Sequence, residues 1–290
     1  MGAINTAFVQ QFSSNIITMS QQRGSKLRNA VLVKTGIVGE DWYIDQLDAT
    51  TARTKTTRNA DVEYSSSDYQ RRKLSPKCLY DAKLIDKEDK VRMLADPTNA
   101  EAQGLAFAIG RGLDDLLITA AFGSAWYGVA GASEETFSSN NVVAVAGAGL
   151  TLAKLLAAKE ILDAYDVDDE EPRYMAISAK QIQDLLKITE FTSADYNTQR
   201  TLAVSGNQFS FCGFTFIKIS TALLDTDSNS YRRVIAWAKN GLGLGIAAEM
   251  KNSIDVLPAK HYATQVYCAV DAGATRVDMD KVVEIKCNET

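Results

Sequence analysis

Three groups of residues in this sequence have types that could do chemistry, and each meets a physical objection. Gly241-Leu242-Gly243-Leu244-Gly245 follows a strand-like run and begins like a dinucleotide-binding turn. That fingerprint needs glycine at its first, third and sixth positions, for the turn, the pyrophosphate approach and helix packing. The sixth position is Ile246, Asp255 comes too early to hold a ribose, and Lys260 is basic. Gly147-Ala148-Gly149 fails in the same way at Leu152, and no P-loop run exists. Asp166, Asp168, Asp169, Glu170 and Glu171 supply enough carboxylate for a divalent cation. They lack the central glycine and the spacing of an EF-hand loop, so they read as a solvated acidic turn. His261 is the single histidine, so a Ser-His-Asp or Cys-His arrangement would have to use it. Neither a GxSxG elbow nor a catalytic-cysteine context points to it, and a multi-histidine zinc site is impossible.

Asp114 and Asp115 are adjacent on a helical pattern. They point about 100° apart, which makes a poor acid/base pair. Cys78, Cys212, Cys268 and Cys287 stand alone without metal-ligand spacing and read as reduced, buried thiols. No active site emerges from these residues.

The composition places these residues in a globular chain. It has 290 residues, 46% hydrophobic and 23% charged, with a net charge of −5. That is enough apolar surface for one large or two ordinary domains, and it excludes collagen, low-complexity disorder and a disulfide-stapled miniprotein. A globally basic nucleic-acid binder is excluded as well. The charge is uneven: residues 1–77 carry 11 Lys and Arg against 7 Asp and Glu, while residues 78–290 carry 20 against 29. No apolar run is long enough to span a membrane and no signal peptide opens the chain, so a soluble protein made in a cytoplasm is expected.

Phe8, Phe12, Ile16 and Met19 recur at helical spacing, predicting an amphipathic terminal helix that must dock on something. Strands are predicted at 30–34 and 41–47. Residues 50–77 then change character, with only 6 apolar residues in 28 and a basic set of Arg53, Lys55, Arg58, Arg71, Arg72, Lys73 and Lys77. Such a segment cannot offset its ordering entropy alone. It is either a disordered surface loop or a two-stranded arm ordered against a neighbouring subunit. Asp96-Pro97 starts a long helix over 97–122, with a stripe of Leu105, Ile109, Leu113, Leu116 and Ala120. After a Gly/Ser-rich stretch at 123–141, strands are predicted at 142–146, 174–178, 208–212, 214–219, 233–238, 264–271 and 277–287. Helices are predicted at 150–165 and 179–188. Phe209, Phe211, Phe214 and Phe216 look like alternating core positions rather than base-stacking groups. The pattern is α+β, with sequential hairpins at the end.

The order of these parts resembles that of tailed-phage (podovirus-type) major capsid proteins with the Hong Kong 97-like fold. The resemblance rests on AFVQQFSSNI and SQQRGSKL near the start, LIDKEDKVRMLADP at 84–97, and the helix through 106–115. It continues with FCGFTFIKIS at 211–220, VIAWAKNGLGLGIAAE at 234–249 and TQVYCAVDAGATRVDMDKVVEIKC at 264–287.

The resemblance implies an N-terminal arm at 1–33 and an extended loop at 34–80. It implies a peripheral domain at 81–145 and 255–279 built on the spine helix, and an axial domain at 146–254 and 280–290. The implied role is that of a shell-building protein, not an enzyme: self-assembly into pentamers and hexamers of an icosahedral shell enclosing double-stranded DNA in the virion, built in the host bacterial cytoplasm. A separate scaffolding protein, a portal protein and a decoration protein are the implied partners, with no cofactor, no membrane and no sequence-specific DNA binding. Arg53, Lys55, Arg58, Arg71, Arg72 and Lys73 are expected to dock on acidic patches of a neighbour, and Phe8 and Phe12 to make inter-subunit contacts. Lys55 lies where some relatives carry a crosslinking lysine, but its asparagine and glutamate partners have no match here. A tail-tube or decoration protein is the alternative virion component, and a dinucleotide-binding oxidoreductase the remaining enzyme class.

Overall fold

The longest helix, α1 (Thr98–Phe122), organises a computed structural model that describes residues 21–47, 50–59, 61–62, 64–65, 69–88, 98–188 and 208–289. Its proline start signal lies outside the described residues. Leu105, Ile109 and Leu113 are buried as the spacing predicts, but burial continues through Gly110, Asp114, Leu117, Ile118 and Ala121. Leu116 and Ala120 are only half-buried. The buried arc is wider than a surface-helix stripe because α1 is covered from two sides, by a sheet and by the segment around Leu27–Val31.

That sheet has the order β1-β12-β13-β4: β1 (Leu32–Thr35), β12 (Leu242–Leu257), β13 (Ala263–Arg276) and β4 (Lys77–Ile85). Val266, Cys268, Val270 and Ala272, every second residue of β13, form its buried row in the core that also holds Leu105, Leu113 and Leu117. β12 and β13 run as one antiparallel ladder from Leu242↔Arg276 to Leu257↔Ala263, with register shifts between Ile246 and Lys251. His261 and Tyr262, both at left-handed φ (52° and 59°), turn the chain at its exposed tip. The single histidine is therefore a surface turn residue.

The second sheet has the order β7-β14-β11-β8-β10-β9: β7 (Val142–Val143), β14 (Val282–Cys287), β11 (Arg232–Ala238), β8 (Arg173–Ile177), β10 (Phe214–Lys218) and β9 (Gln208–Phe211). Both faces are buried, which is why its strands read as nearly continuous apolar runs. Met175, Ile177, Phe214, Phe216, Val234 and Ala236 pack with α2 (Leu152–Ala164) and α3 (Ala179–Leu186). Ala176, Ile217, Ile235 and Trp237 face the α1 side. Phe214 and Phe216 thus stand in the core as expected, with Phe211 packed against it. Ser178 and Gln181 close a capping box at the start of α3.

The third sheet, β2-β3-β5-β6, joins β2 (Trp42–Leu47) and β3 (Tyr69–Leu74) to a short hairpin of β5 (Ala125–Tyr127) and β6 (Ser133–Glu135). The architecture is α+β. Three expectations need correction. The hairpin β5–β6 lies inside the stretch read as a Gly/Ser-rich connector, turning on Gly128 and Gly131 at positive φ. The strand predicted at 277–287 begins only at Val282, because Val277 and Asp278 donate to the Gly241 carbonyl in a turn. The last hairpin is consequently β12–β13, while β14 joins the other sheet beside β11. Of the cysteines read as buried, Cys78 is exposed on β4.

The glycines of 241–245 lie at the start of β12, and what they admit is protein. A Cβ on Gly245 would stand 2.5 Å from Ile37 Cδ1 and 2.9 Å from Leu74 Cδ2. Its ladder partner Gly273 is tighter against main chain, with a Cβ at 2.8 Å from the Ser75 carbonyl oxygen. The two glycines let the base of the β2–β3 ladder lie directly on the β12–β13 sheet, which leaves no bed for a cofactor. Gly273→Ala is expected to cost about 1–3 kcal/mol through overpacking, measured as a lower midpoint in urea unfolding. An unchanged midpoint would show that the loop base yields freely.

Candidate functional site

The third sheet divides the predicted basic set, with Arg71, Arg72 and Lys73 on β3 and Arg53, Lys55 and Arg58 outside it. Arg71, Arg72 and Lys73 alternate along β3 and find partners within their own chain. Arg72 is 6% exposed; its Nη1 donates to Glu135 Oε2 at 2.5 Å, its Nε donates to Gln46, and its guanidinium lies over the Tyr127 ring. Arg71 Nε donates to Asp45 at 2.6 Å and stacks over Tyr43. Lys73 Nζ pairs with Asp41 at 2.9 Å. Hydrogen bonds from Ser75 and then Lys73 hold the Asp41 carboxyl below its ordinary range, and Asp41 in turn raises the Lys73 ammonium. These three cations stiffen the sheet through cross-strand pairs, since Arg72 stands opposite Ile44 and Tyr127, and Arg71 opposite Asp45.

Arg53, Lys55 and Arg58 lie beyond the ladder in 50–59, an exposed stretch with no strand pairing of its own among the described residues. The same end of the loop exposes Leu47, Val62, Tyr64 and Tyr69, the last two 89% and 77% accessible. A basic, threonine-rich segment edged with bare aromatic and aliphatic side chains is what a docking surface requires. Phe8 and Phe12 lie outside the described residues.

At the other end, the loop sheet is tied to the body by a buried arginine that sequence reasoning did not single out. Arg276 is 1% exposed. Its Nη1 donates to the Ala121 and Gly123 carbonyls at 2.9 and 2.7 Å, its Nη2 donates to the Glu135 carbonyl at 3.0 Å, and Phe137 covers its face. Burial lowers its pKa to about 10, so it remains charged at neutral pH. One side chain thus closes the C-terminus of α1, where carbonyls lack helical partners, and holds β6 in place. A signal existed: Arg276 has the same strand parity as Val266, Cys268, Val270 and Ala272.

Asp114 was likewise read only as half of a weak carboxylate pair. It is fully buried and accepts hydrogen bonds from Gln22, Ser25, Lys26 and Leu27, where the chain enters the body. Asp115, its neighbour, is exposed, so the two carboxylates stand in different surroundings.

The acidic run at 166–171 is a turn, as expected, and part of it is engaged by cations. Arg173 donates to Asp169 and to Asp163 just upstream, and Lys281 pairs with Glu171 at 2.8 Å. Among the described residues no group of three or more His, Cys, Asp or Glu is placed to hold a metal ion. Two open pockets, of about 590 and 600 Å³, flank the third sheet, lined by residues such as Lys73, Trp126 and Ala274 in one and Asp45, Arg71 and Tyr127 in the other.

Comparisons with known proteins agree along the whole length. The family model described as phage capsid protein matches residues 4–289. No curated protein sequence matches the chain. Among solved structures, the cyanophage Pam1 capsid superposes with a TM-score of 0.74 at 15% identity, covering 99% of this chain and 98% of that one. The head structure of Helicobacter pylori bacteriophage KHP40 gives 0.72 at 10% identity, covering 99% and 96%. The capsid of cyanophage P-SCSP1u gives 0.71 at 13% identity, covering 99% and 94%.

Proposed function

This chain belongs to the phage capsid protein family, and from that premise we propose that it is the subunit of which the pentamers and hexamers of a closed phage head are built. The observation that supports the reading is the extended loop. Its sheet is held rigidly at the base by Arg72, Arg276 and the Gly245–Gly273 seat, while its far end carries exposed basic and apolar side chains. A lever fixed at one end and sticky at the other serves a protein that completes itself on the next copy. The body beyond residue 77 is net acidic, so a basic loop reaching over a neighbouring body is attracted to it.

The same acidic body suits a container for double-stranded DNA that does not grip its contents, because tight binding to phosphate needs a basic lining. A separate scaffolding protein, a portal and a decoration protein are the partners proposed, with assembly in the bacterial cytoplasm before packaging. No catalytic role is assigned.

The test is negative-stain electron microscopy of the chain co-expressed with its candidate scaffold and pelleted at high speed. Closed shells with angular facets are expected, because five- and six-fold rings close where a purely helical stack does not. Open tubes would assign the chain to a tail instead. A supernatant of small uniform particles would overturn the shell reading.

A further inference from the structure

A cavity of about 590 Å³ opens between α1 and the third sheet, and we infer that it binds a small amphipathic carboxylate, an apolar chain carrying one carboxyl group. The site does not depend on the shell-building reading and goes beyond it.

Its walls come from two parts of the fold. Leu116, Thr119 and Ala120 of α1 form one, and Lys73 of β3 with Trp126 of β5 form the other. Lys73 and Trp126 stand opposite each other across the β3–β5 junction, which has only two paired positions. An occupant touching both walls therefore braces the β5–β6 hairpin against α1. The size falls within the roughly 300–1,000 Å³ that small-molecule sites occupy.

Apolar surface left wet at this place points to the body of the ligand. Leu116 and Ala120 belong to the apolar stripe of α1 yet are only half-buried, and both line the cavity. Trp126 is 44% exposed, whereas Trp237 is fully buried. An open indole beside half-covered aliphatic positions is surface that an apolar chain would remove from water. Charge points to the head group. Lys73 is neutralised by Asp41 at 2.9 Å. Lys77 lines the same cavity, is exposed, and has no ion pair among the described residues. The cavity thus holds one uncompensated cation, and exposed Ser124 adds a hydroxyl donor. The end of α1 beside it would ordinarily repel an anion, because its last carbonyls carry partial negative charge. Here those carbonyls are occupied: Ala121 and Gly123 accept from Arg276 Nη1, and the Thr119 carbonyl accepts from the Gly123 nitrogen at 2.8 Å.

The test titrates the full native chain with a terminally brominated undecanoate, whose bromine quenches tryptophan on contact, kept below its micellar concentration. Saturable quenching is expected, displaced by decanoate and largely lost in Trp126→Phe. Lengthening the competing chain should tighten binding about 2- to 4-fold per methylene. Lys77→Gln should weaken it roughly 5-fold, the scale of one exposed ion pair. Thr119→Phe, which fills the cavity from an exposed position of α1, should weaken it about 10-fold or more. At saturation, amide exchange over residues 125–135 should slow by about 3-fold. Absence of saturable quenching would overturn the proposal, as would unchanged exchange over 125–135 or full binding by Thr119→Phe. Equal binding of decanol or decylamine would overturn it as well, and these arms use the native chain alone, so they decide even where a variant fails to fold. Probe taken up by free subunits but excluded from assembled particles would assign the cavity to a neighbouring copy and overturn the small-molecule reading.

Discussion

Replacing Arg53, Lys55 and Arg58 together by glutamate is expected to leave a folded, soluble subunit that no longer closes shells. The three side chains are exposed and lie beyond the β2–β3 ladder, so their reversal leaves the packed sheet and the core intact. Surface changes away from packed features stay within about 0.5 kcal/mol of neutral, so the melting temperature should barely move. Assembly is another matter. An exposed ion pair contributes only ~0–1 kcal/mol. Reversal turns each attraction into a repulsion of similar size, so three positions shift one loop contact by roughly 3 kcal/mol, or about 100-fold. The contact recurs at every subunit of a shell, so the loss compounds. Sedimentation of co-expressed protein followed by negative-stain microscopy checks it, and normal shells from the triple variant would remove the basic loop from the interface. Arg71, Arg72 and Lys73 are left out of this variant because Asp45, Glu135 and Asp41 already engage them.

The second large effect concerns folding. Arg276→Ala is expected to destabilise the subunit by about 3–5 kcal/mol, the sum of a cavity and of buried carbonyls left without a donor at about 1–3 kcal/mol each. The substitution leaves the carbonyls of Ala121, Gly123 and Glu135 facing a cavity with no donor. Two of them end α1, where no intrahelical partner is available. For a chain of this size the melting temperature should fall on the order of 10 °C. Arg276→Lys, which keeps a charge but can reach fewer of the three oxygens, should fall between native and alanine. Thermal unfolding followed by circular dichroism measures both. An alanine variant melting like the native protein would mean that water replaces the guanidinium at no cost.

Much of this fold was legible because its signals are local. The α1 helix, the Phe214/Phe216 strand and the capped α3 follow from periodicity and cap residues, and their boundaries differ from expectation by a residue or two. What escaped was decided by tertiary neighbours. Asp114 had only the reading of a poor acid/base partner, because nothing within α1 announces that the chain at Gln22–Leu27 covers it. Arg276 carried a parity signal, but its purpose depends on the Glu135 carbonyl arriving from a hairpin hidden among glycines and serines. The Gly241–Gly245 run has the composition of a nucleotide loop because close approach of backbone demands glycine whatever approaches, and here Gly243 and Gly245 make room for side chains of the loop base. For the basic segment, composition showed only that residues 50–77 could not pack alone; the roles of Arg71, Arg72 and Lys73 in β3 required the cross-strand partners.

The β12–β13 ladder has a mechanical meaning. Its two strands lie side by side from Leu242↔Arg276 to Leu257↔Ala263, so a bend applied at the tip is spread over a long ladder broken only at the register shifts between Ile246 and Lys251. The β3–β5 junction, by contrast, pairs only Arg72↔Tyr127 and Lys73↔Trp126, and a force there would part it one rung at a time. The first spreads load over its length; the second depends on the Arg72–Glu135 ion pair beside it to keep the sheet fixed. In a shell of the kind proposed above, the long hairpin would stiffen the wall and the loop sheet would stay fixed at its base.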